Sequence, residues 1–198
     1  MKALKLSLLK NENGVVRATV TSADISPAMF DKHREAVRGT YYRDMYMAAF
    51  DKVRPFERID LVINSGGGLA LSAGGLEKAI EAQKVPVRLL ITGQCASAAT
   101  WLLMCTDDRA IVPGGSVLVH MPKKLRIEKE KGVYRLRWSV SNALTLSGLV
   151  GLYKHLTGRN KKQILAWMNE GKRFTAPEAV AEGFVRRIVP RYEWEKLG

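Results

Sequence analysis

Two short runs in which apolar and β-branched residues alternate with polar ones, residues 4–9 and 15–20, flank Asn11-Glu12-Asn13-Gly14. An Asn-Gly pair before a β-branched run signals a hairpin, because both residues tolerate the positive φ of a tight turn. Ser26-Pro27 reads as an N-cap followed by proline at the first helical position. It opens a helical region toward Val53, interrupted near Gly39 and residues 40–42 and closed by Pro55. Residues 59–63, apolar and β-branched apart from Asp60, suit a buried parallel strand that ends in Asn64-Ser65-Gly66-Gly67-Gly68. Residues 69–83 predict a helix loosened by Gly74-Gly75, and Pro86 opens a second buried strand over 86–91. After Thr92-Gly93-Gln94-Cys95-Ala96-Ser97 the chain is apolar from 98 to 104 apart from Thr100, which predicts a buried helix.

Strand, glycine turn, helix, strand, serine turn, helix is a pair of βα units, which predicts a mostly parallel sheet with right-handed crossovers. In such sheets reactive groups gather at the carboxyl ends of the strands, so the glycine and serine turns should share one edge. Two further strands, 109–112 and 116–120, are joined by Pro113-Gly114-Gly115, and the second ends in His120-Met121-Pro122. Residues 123–137 are charged, with strand-like alternation of Leu125, Ile127, Tyr134, Leu136 and Trp138 about a Lys131-Gly132 turn. A long helix follows to Thr157-Gly158, then a shorter one over 161–169. Thr175 caps a helix at 176–180, and 184–189 is a final strand.

Composition changes this picture little. The 198 residues fit one domain with a proper core, and 46% hydrophobic with 26% charged residues is ordinary for a globular chain. No run approaches the roughly 18 apolar residues of a membrane span. The start shows no secretory signal, so a cytoplasmic location is expected. Cys95 and Cys105 form no metal-binding spacing, and no metal or organic cofactor is expected. The 32 basic against 19 acidic residues give +13. They are spread widely without aromatic interleaving, so nucleic acid is not the expected partner.

Ser97 stands where a strand turns into a helix, so its hydroxyl is fixed and first-turn N–H groups face the same point. A plain N-cap is the competing role. Four segments then stand in order: residues 63–68, 93–99, 117–122 and 174–183. Together they resemble the proteolytic subunit of the Clp protease, the ClpP family of serine peptidases, over residues 59–189. The resemblance implies an α/β fold of the ClpP/crotonase type, stacked βαβ units with a protruding helical handle. The chain would be one domain, 1–198, with a divergent N-terminal region, 1–58, and a handle arm, 123–158.

The resemblance also implies roles. Ser97 is the nucleophile, His120 its general base, and the N–H groups of Gly68 and Ala98 the oxyanion hole. The chemistry agrees: a serine hydroxyl is weak until a positioned base activates it, and an imidazole exchanges protons near neutrality. Cys95 is expected to be a core residue, and His33 and His155 surface residues. The family's third residue, an acid, falls on Gly171 here. Two readings stay open: Glu170, one position earlier, reaches His120, or no acid orients it. Gly66 stands where the family usually has proline, which loosens the turn.

The expected reaction is endopeptidase cleavage through an acyl-enzyme, without cofactor. Expected partners are peptides or unfolded proteins, further copies in heptameric rings that often pair, and an ATP-driven unfoldase. The competing readings are a catalytically degenerate ring subunit with a structural or regulatory role, and an acyl-CoA-handling relative of the same fold. The latter needs a different acid or base beside the oxyanion amides.

Overall fold

The computed structural model describes residues 2–10, 13–24, 41–130, 133–140 and 143–196. The helix start expected at Ser26-Pro27, and His33, lie outside them. Strands β1 (Lys2–Lys10) and β2 (Val15–Asp24) form the expected antiparallel hairpin, with Leu6 opposite Val20. Helix α1 (Tyr41–Asp51) follows, burying Tyr42, Tyr46 and Phe50 on one side. Then come β3 (Arg58–Ser65), α2 (Ala70–Glu81) and β4 (Val87–Ala96). A 3₁₀ helix (Ser97–Cys105), β5 (Arg109–Ile111) and β6 (Ser116–Leu118) complete the first part.

The arm opens as a ribbon, β7 (Lys123–Glu130) with β8 (Val133–Val140), before α3 (Ala143–Thr157). The two strands form a sheet of their own, apart from the main one. Helix α4 (Lys161–Glu170), β9 (Arg173–Thr175), α5 (Ala176–Ala181), β10 (Arg187–Ile188) and α6 (Arg191–Lys196) finish the chain. The Thr175 cap is present as a full capping box with Glu178, whose carboxylate accepts from the Thr175 N–H at 2.8 Å.

The main sheet runs β1-β2-β3-β4-β5-β10, antiparallel at β1–β2 and parallel from β2 to β10. Strand β4 is the branch point. Its first half, Leu89 to Ile91, pairs with β5, and its last three residues, Gln94 to Ala96, pair with β6. The strand therefore extends five residues beyond the expected end at Ile91, because a neighbour far along the chain supplies its hydrogen bonds.

The helices bury one large core against a single sheet face, from Leu4 and Val16 through Ile63 and Leu76 to Leu152 and Phe184. The other face carries a small cluster, Val62, Leu90, Ala110, Val189 and Trp194, and Trp194 comes from α6. Helix α6 has no counterpart in the sequence reading; six mostly charged residues give no apolar periodicity.

An ion pair fastens that small face. The Arg88 guanidinium donates to both carboxylate oxygens of Asp60 at 2.7 Å, and to the Trp194 carbonyl at 3.0 Å. Its charge lies 4.2 Å from the Trp194 ring centroid. Asp60 and Arg88 are both buried, and Arg58 donates a further bond to Asp60 at 3.0 Å. Removing one member of such a pair leaves a buried charge without its counterion, typically costing about 3–5 kcal/mol. Asp60→Ala should lower unfolding stability by about that much in urea titration. The double variant Asp60→Leu/Arg88→Met should recover most of it; equal losses in the two would show that burial of the pair is not what matters.

Candidate active site

Parallel register brings the expected residues to one edge. Ala96 pairs with Leu118, so Ser97, one residue past β4, and His120, two residues past β6, emerge from neighbouring strands at their carboxyl ends. On the other flank of β4, Ser65 pairs with Cys95. That places the glycine turn 66–68 beside Ala96, Ser97 and Ala98.

Ser97 is not the N-cap of its helix. Ala96 holds that place in extended conformation, and Ser97 is the first helical residue, with φ of +55°. A positive φ is uncommon for a residue bearing a Cβ, and such strain clusters where function requires a fixed side chain. Serine nucleophiles of α/β hydrolases sit on a comparably sharp strand-to-helix turn. The Ser97 carbonyl accepts from the Thr100 hydroxyl at 2.5 Å. The buried Tyr153 of α3 lies 2.9 Å from the same hydroxyl, and since Thr100 gives its proton to Ser97, Tyr153 is the donor. The arm's helix thus braces the serine turn.

Gly67 closes the other side. A Cβ there would lie 2.5 Å from the Ala96 oxygen, 2.8 Å from Ser97 Cβ and 3.0 Å from the Ala98 nitrogen, and φ is +86°. Only glycine fits, because the backbone itself is the packing surface. The Gly67 N–H donates to Ser65 Oγ at 3.1 Å, which leaves the next amide, that of Gly68, as the turn's candidate donor. Gly68 has φ of +155°, and a side chain on it would overlap the Lys2 carbonyl of β1. Ala98 lies in the first turn of the 3₁₀ helix, where intrahelical bonding leaves N–H groups free.

His120 is half-buried and its Nδ1 lies 2.7 Å from the Met121 carbonyl. A carbonyl can only accept, so Nδ1 carries the proton and Nε2 is the basic nitrogen. The C-terminal turn of α4 runs alongside: Met121 N–H donates to the Met168 carbonyl at 2.9 Å, and Val119 N–H to the Lys172 carbonyl at 3.0 Å. Glu170 and Gly171 lie between those anchors. Glu170 is exposed, and Gly171 is the α4 C-cap with φ of +70°. The Nδ1 acceptor is thus a main-chain carbonyl, and a carbonyl carries no residue signature for sequence reasoning to find.

Cys95 is fully buried, and burial drives its thiol far above the usual range. It is a core residue, as expected. His155 lies on the last turn of α3 and is exposed.

A family model described as Clp protease matches residues 29–192. Similar relatives include the ATP-dependent Clp protease proteolytic subunit 1 of Protochlamydia amoebophila, 27% identical over 141 residues, covering 70% of this chain and 68% of that protein. The protein of the same name from Corynebacterium diphtheriae is 30% identical over 154 residues, covering 72% and 68%. In three dimensions the chain is similar to a ClpP1 mutant from Listeria monocytogenes, with a TM-score of 0.57 at 17% identity over 77% of this chain and 86% of that one. This structural likeness bears on the fold alone.

If the Gly67–Ser97 contact sets the site, Gly67→Ala should slow covalent labelling of Ser97 by a fluorophosphonate by about 10²–10³-fold, the size of a lost oxyanion donor. Gly66→Ala is the control, since its Cβ would meet nothing closer than 3.7 Å. Equal labelling of the two variants would sink the idea.

Proposed function

This chain belongs to the Clp protease family, and we propose that it is a serine peptidase whose Ser97, His120, Gly68 and Ala98 cut peptide bonds through an acyl-enzyme. The single observation that carries the reading is the left-handed backbone of Ser97 against the Gly67 turn. That arrangement has no packing purpose that an ordinary helix start would not serve better.

The steps follow from the atoms. Ser97 Oγ attacks the substrate carbonyl carbon while His120 Nε2 takes its proton. The carbonyl oxygen becomes an oxyanion that accepts from the N–H groups of Gly68 and Ala98. The imidazolium returns the proton to the leaving amine as the C–N bond breaks, leaving an ester on Ser97. A water molecule, deprotonated by His120, then attacks the ester and restores the serine. The reading includes peptide or unfolded-protein substrates, a ring of several copies around the sites, and an ATP-driven unfoldase that feeds it. The family membership and the relatives' names support these.

Met121 takes the place of the orienting acid in this proposal. Its carbonyl fixes the tautomer and ring plane, but being neutral it stabilises the imidazolium less than a carboxylate does. Removing the acid from a Ser-His-Asp triad lowers turnover by about 10⁴, much of it through the wrong tautomer. The Met121 bond protects against that part of the loss. A slow enzyme results, and the same observation gives the degenerate-subunit reading its support.

Intact-mass analysis should show one fluorophosphonate adduct on the native chain and none on Ser97→Ala. His120→Asn should lower peptide turnover by about 10²–10⁴-fold. A folded native chain that takes up no label would favour the degenerate subunit.

The acid can be tested separately. Glu170→Gln should leave turnover unchanged, and a sharp fall would restore Glu170 to the triad. Gly171→Asp should raise turnover, because a Cβ there meets nothing within 4 Å and aspartate tolerates the left-handed conformation. A rate at or below the native one would show that the missing charge is not what limits the chemistry.

A further inference from the structure

Gly67 is enclosed by three hydrogen bonds that close into a ring. Its N–H donates to Ser65 Oγ at 3.1 Å, its carbonyl accepts from Ser22 Oγ at 2.8 Å, and the two hydroxyls lie 2.8 Å apart. One proton assignment satisfies all three: Ser65 donates to Ser22, and Ser22 donates to the Gly67 carbonyl. Each hydroxyl then gives one proton and accepts one. Ser65 is buried and lies in the glycine motif itself. Ser22 comes from β2, two residues beyond the Val20–Ile63 pair, so the parallel register sets it beside Ser65.

The consequence lies in the next amide. A peptide unit is planar and trans, so the Gly67 carbonyl and the Gly68 N–H point in opposite directions from one rigid plate. Holding the oxygen on the β2 side aims the N–H away from β2. The plate is flanked by glycines on both sides, with φ of +86° and +155°, and no side chain resists its rotation. Gly66 before them adds no stiffness of its own.

We propose that Ser22 is a positioning residue: its hydroxyl holds the Gly67 carbonyl and thereby aims the Gly68 N–H at the oxyanion. This rests on the serine-peptidase reading above. The hairpin carrying Ser22 contributes no reacting group, yet it sets the direction of one of the two oxyanion donors. A purely structural cross-strand bond between two serines would affect folding stability and leave the chemical step alone.

The test uses the full chain with Ser22→Ala, Ser22→Thr and Ser65→Ala, a fluorogenic peptide substrate, and crystal structures of native protein and variants. Ser22→Ala should lower kcat by about 10- to 100-fold, short of the 10²–10³ for a donor lost outright. KM and the midpoint of the pH–rate profile should not move, because neither substrate contacts nor His120 are touched. Ser22→Thr, which keeps the hydroxyl, should recover most of the loss, and Ser65→Ala should behave like Ser22→Ala. In the Ser22→Ala crystal the Gly67 carbonyl should have turned from its native direction. An unchanged kcat, or a carbonyl that stays in place, overturns the proposal. If the native chain neither turns over substrate nor takes up a fluorophosphonate, the peptidase reading fails on its own account. The direction of the Gly67 carbonyl in the variants then decides alone whether Ser22 holds the plate.

Discussion

The site depends on one close approach of main chain to main chain, the α-carbon of Gly67 against the turn that carries Ser97. No side chain can enter that contact, and a Cβ on Gly67 would meet Ala96, Ser97 and Ala98 together. The sheet is built to produce it. Between the Ile63–Ile91 pair and the Ser65–Cys95 pair, β3 advances two residues while β4 advances four. This irregularity offsets the end of β4 by two residues against β3 and leaves Ser97 beside the glycine turn. A strand continuing in perfect register would carry the serine past it. Register shifts of this kind re-aim side chains next to active sites.

Around that contact the supports come from distant parts of the chain. Tyr153 on α3 reaches the Ser97 carbonyl through Thr100, and Ser22 on β2 reaches the Gly67 carbonyl directly. The Leu69 N–H, one residue past the glycine turn, donates to Lys2 of β1 at 3.0 Å. The N-terminal hairpin is therefore part of the site's frame, although it lies before the residues that the family model matches. Strain at Ser97 persists because both sides of the turn are tied to rigid elements, which is the general condition for keeping a sparsely populated backbone conformation.

The histidine shows a different solution. Most of what a carboxylate does for an imidazole divides into direction and charge. The Met121 carbonyl supplies direction, because it accepts from Nδ1 and leaves Nε2 unprotonated. Charge is not supplied by a neutral acceptor. The turn that would carry an acid is held beside His120 by two main-chain bonds, and it offers the C-cap Gly171 and the exposed Glu170. The imidazole is held in direction without a charge beside it.

Local sequence determined most of the elements. The β1–β2 hairpin follows from Asn13-Gly14 and the alternation around it, α5 from the Thr175–Glu178 capping box, and β3 from a run that is apolar apart from Asp60. Each rests on interactions within a few residues, and such interactions are written in order along the chain. The strand-to-helix turn at Ser97 and the glycine turn were legible as backbone features for the same reason, whereas the role expected of His120 came from the resemblance of four segments taken together. Tertiary structure decided what joins segments far apart. Strand β4 runs on to Ala96 because β6 lies beside it, and the six charged and aromatic residues of α6 become a helix end fastened by Arg88. The acceptor for His120 is a carbonyl, which every residue has, and the support for Gly67 is a serine 45 positions away. Residue type names a group that can react, but which backbone atom faces it is settled only when the strands come together.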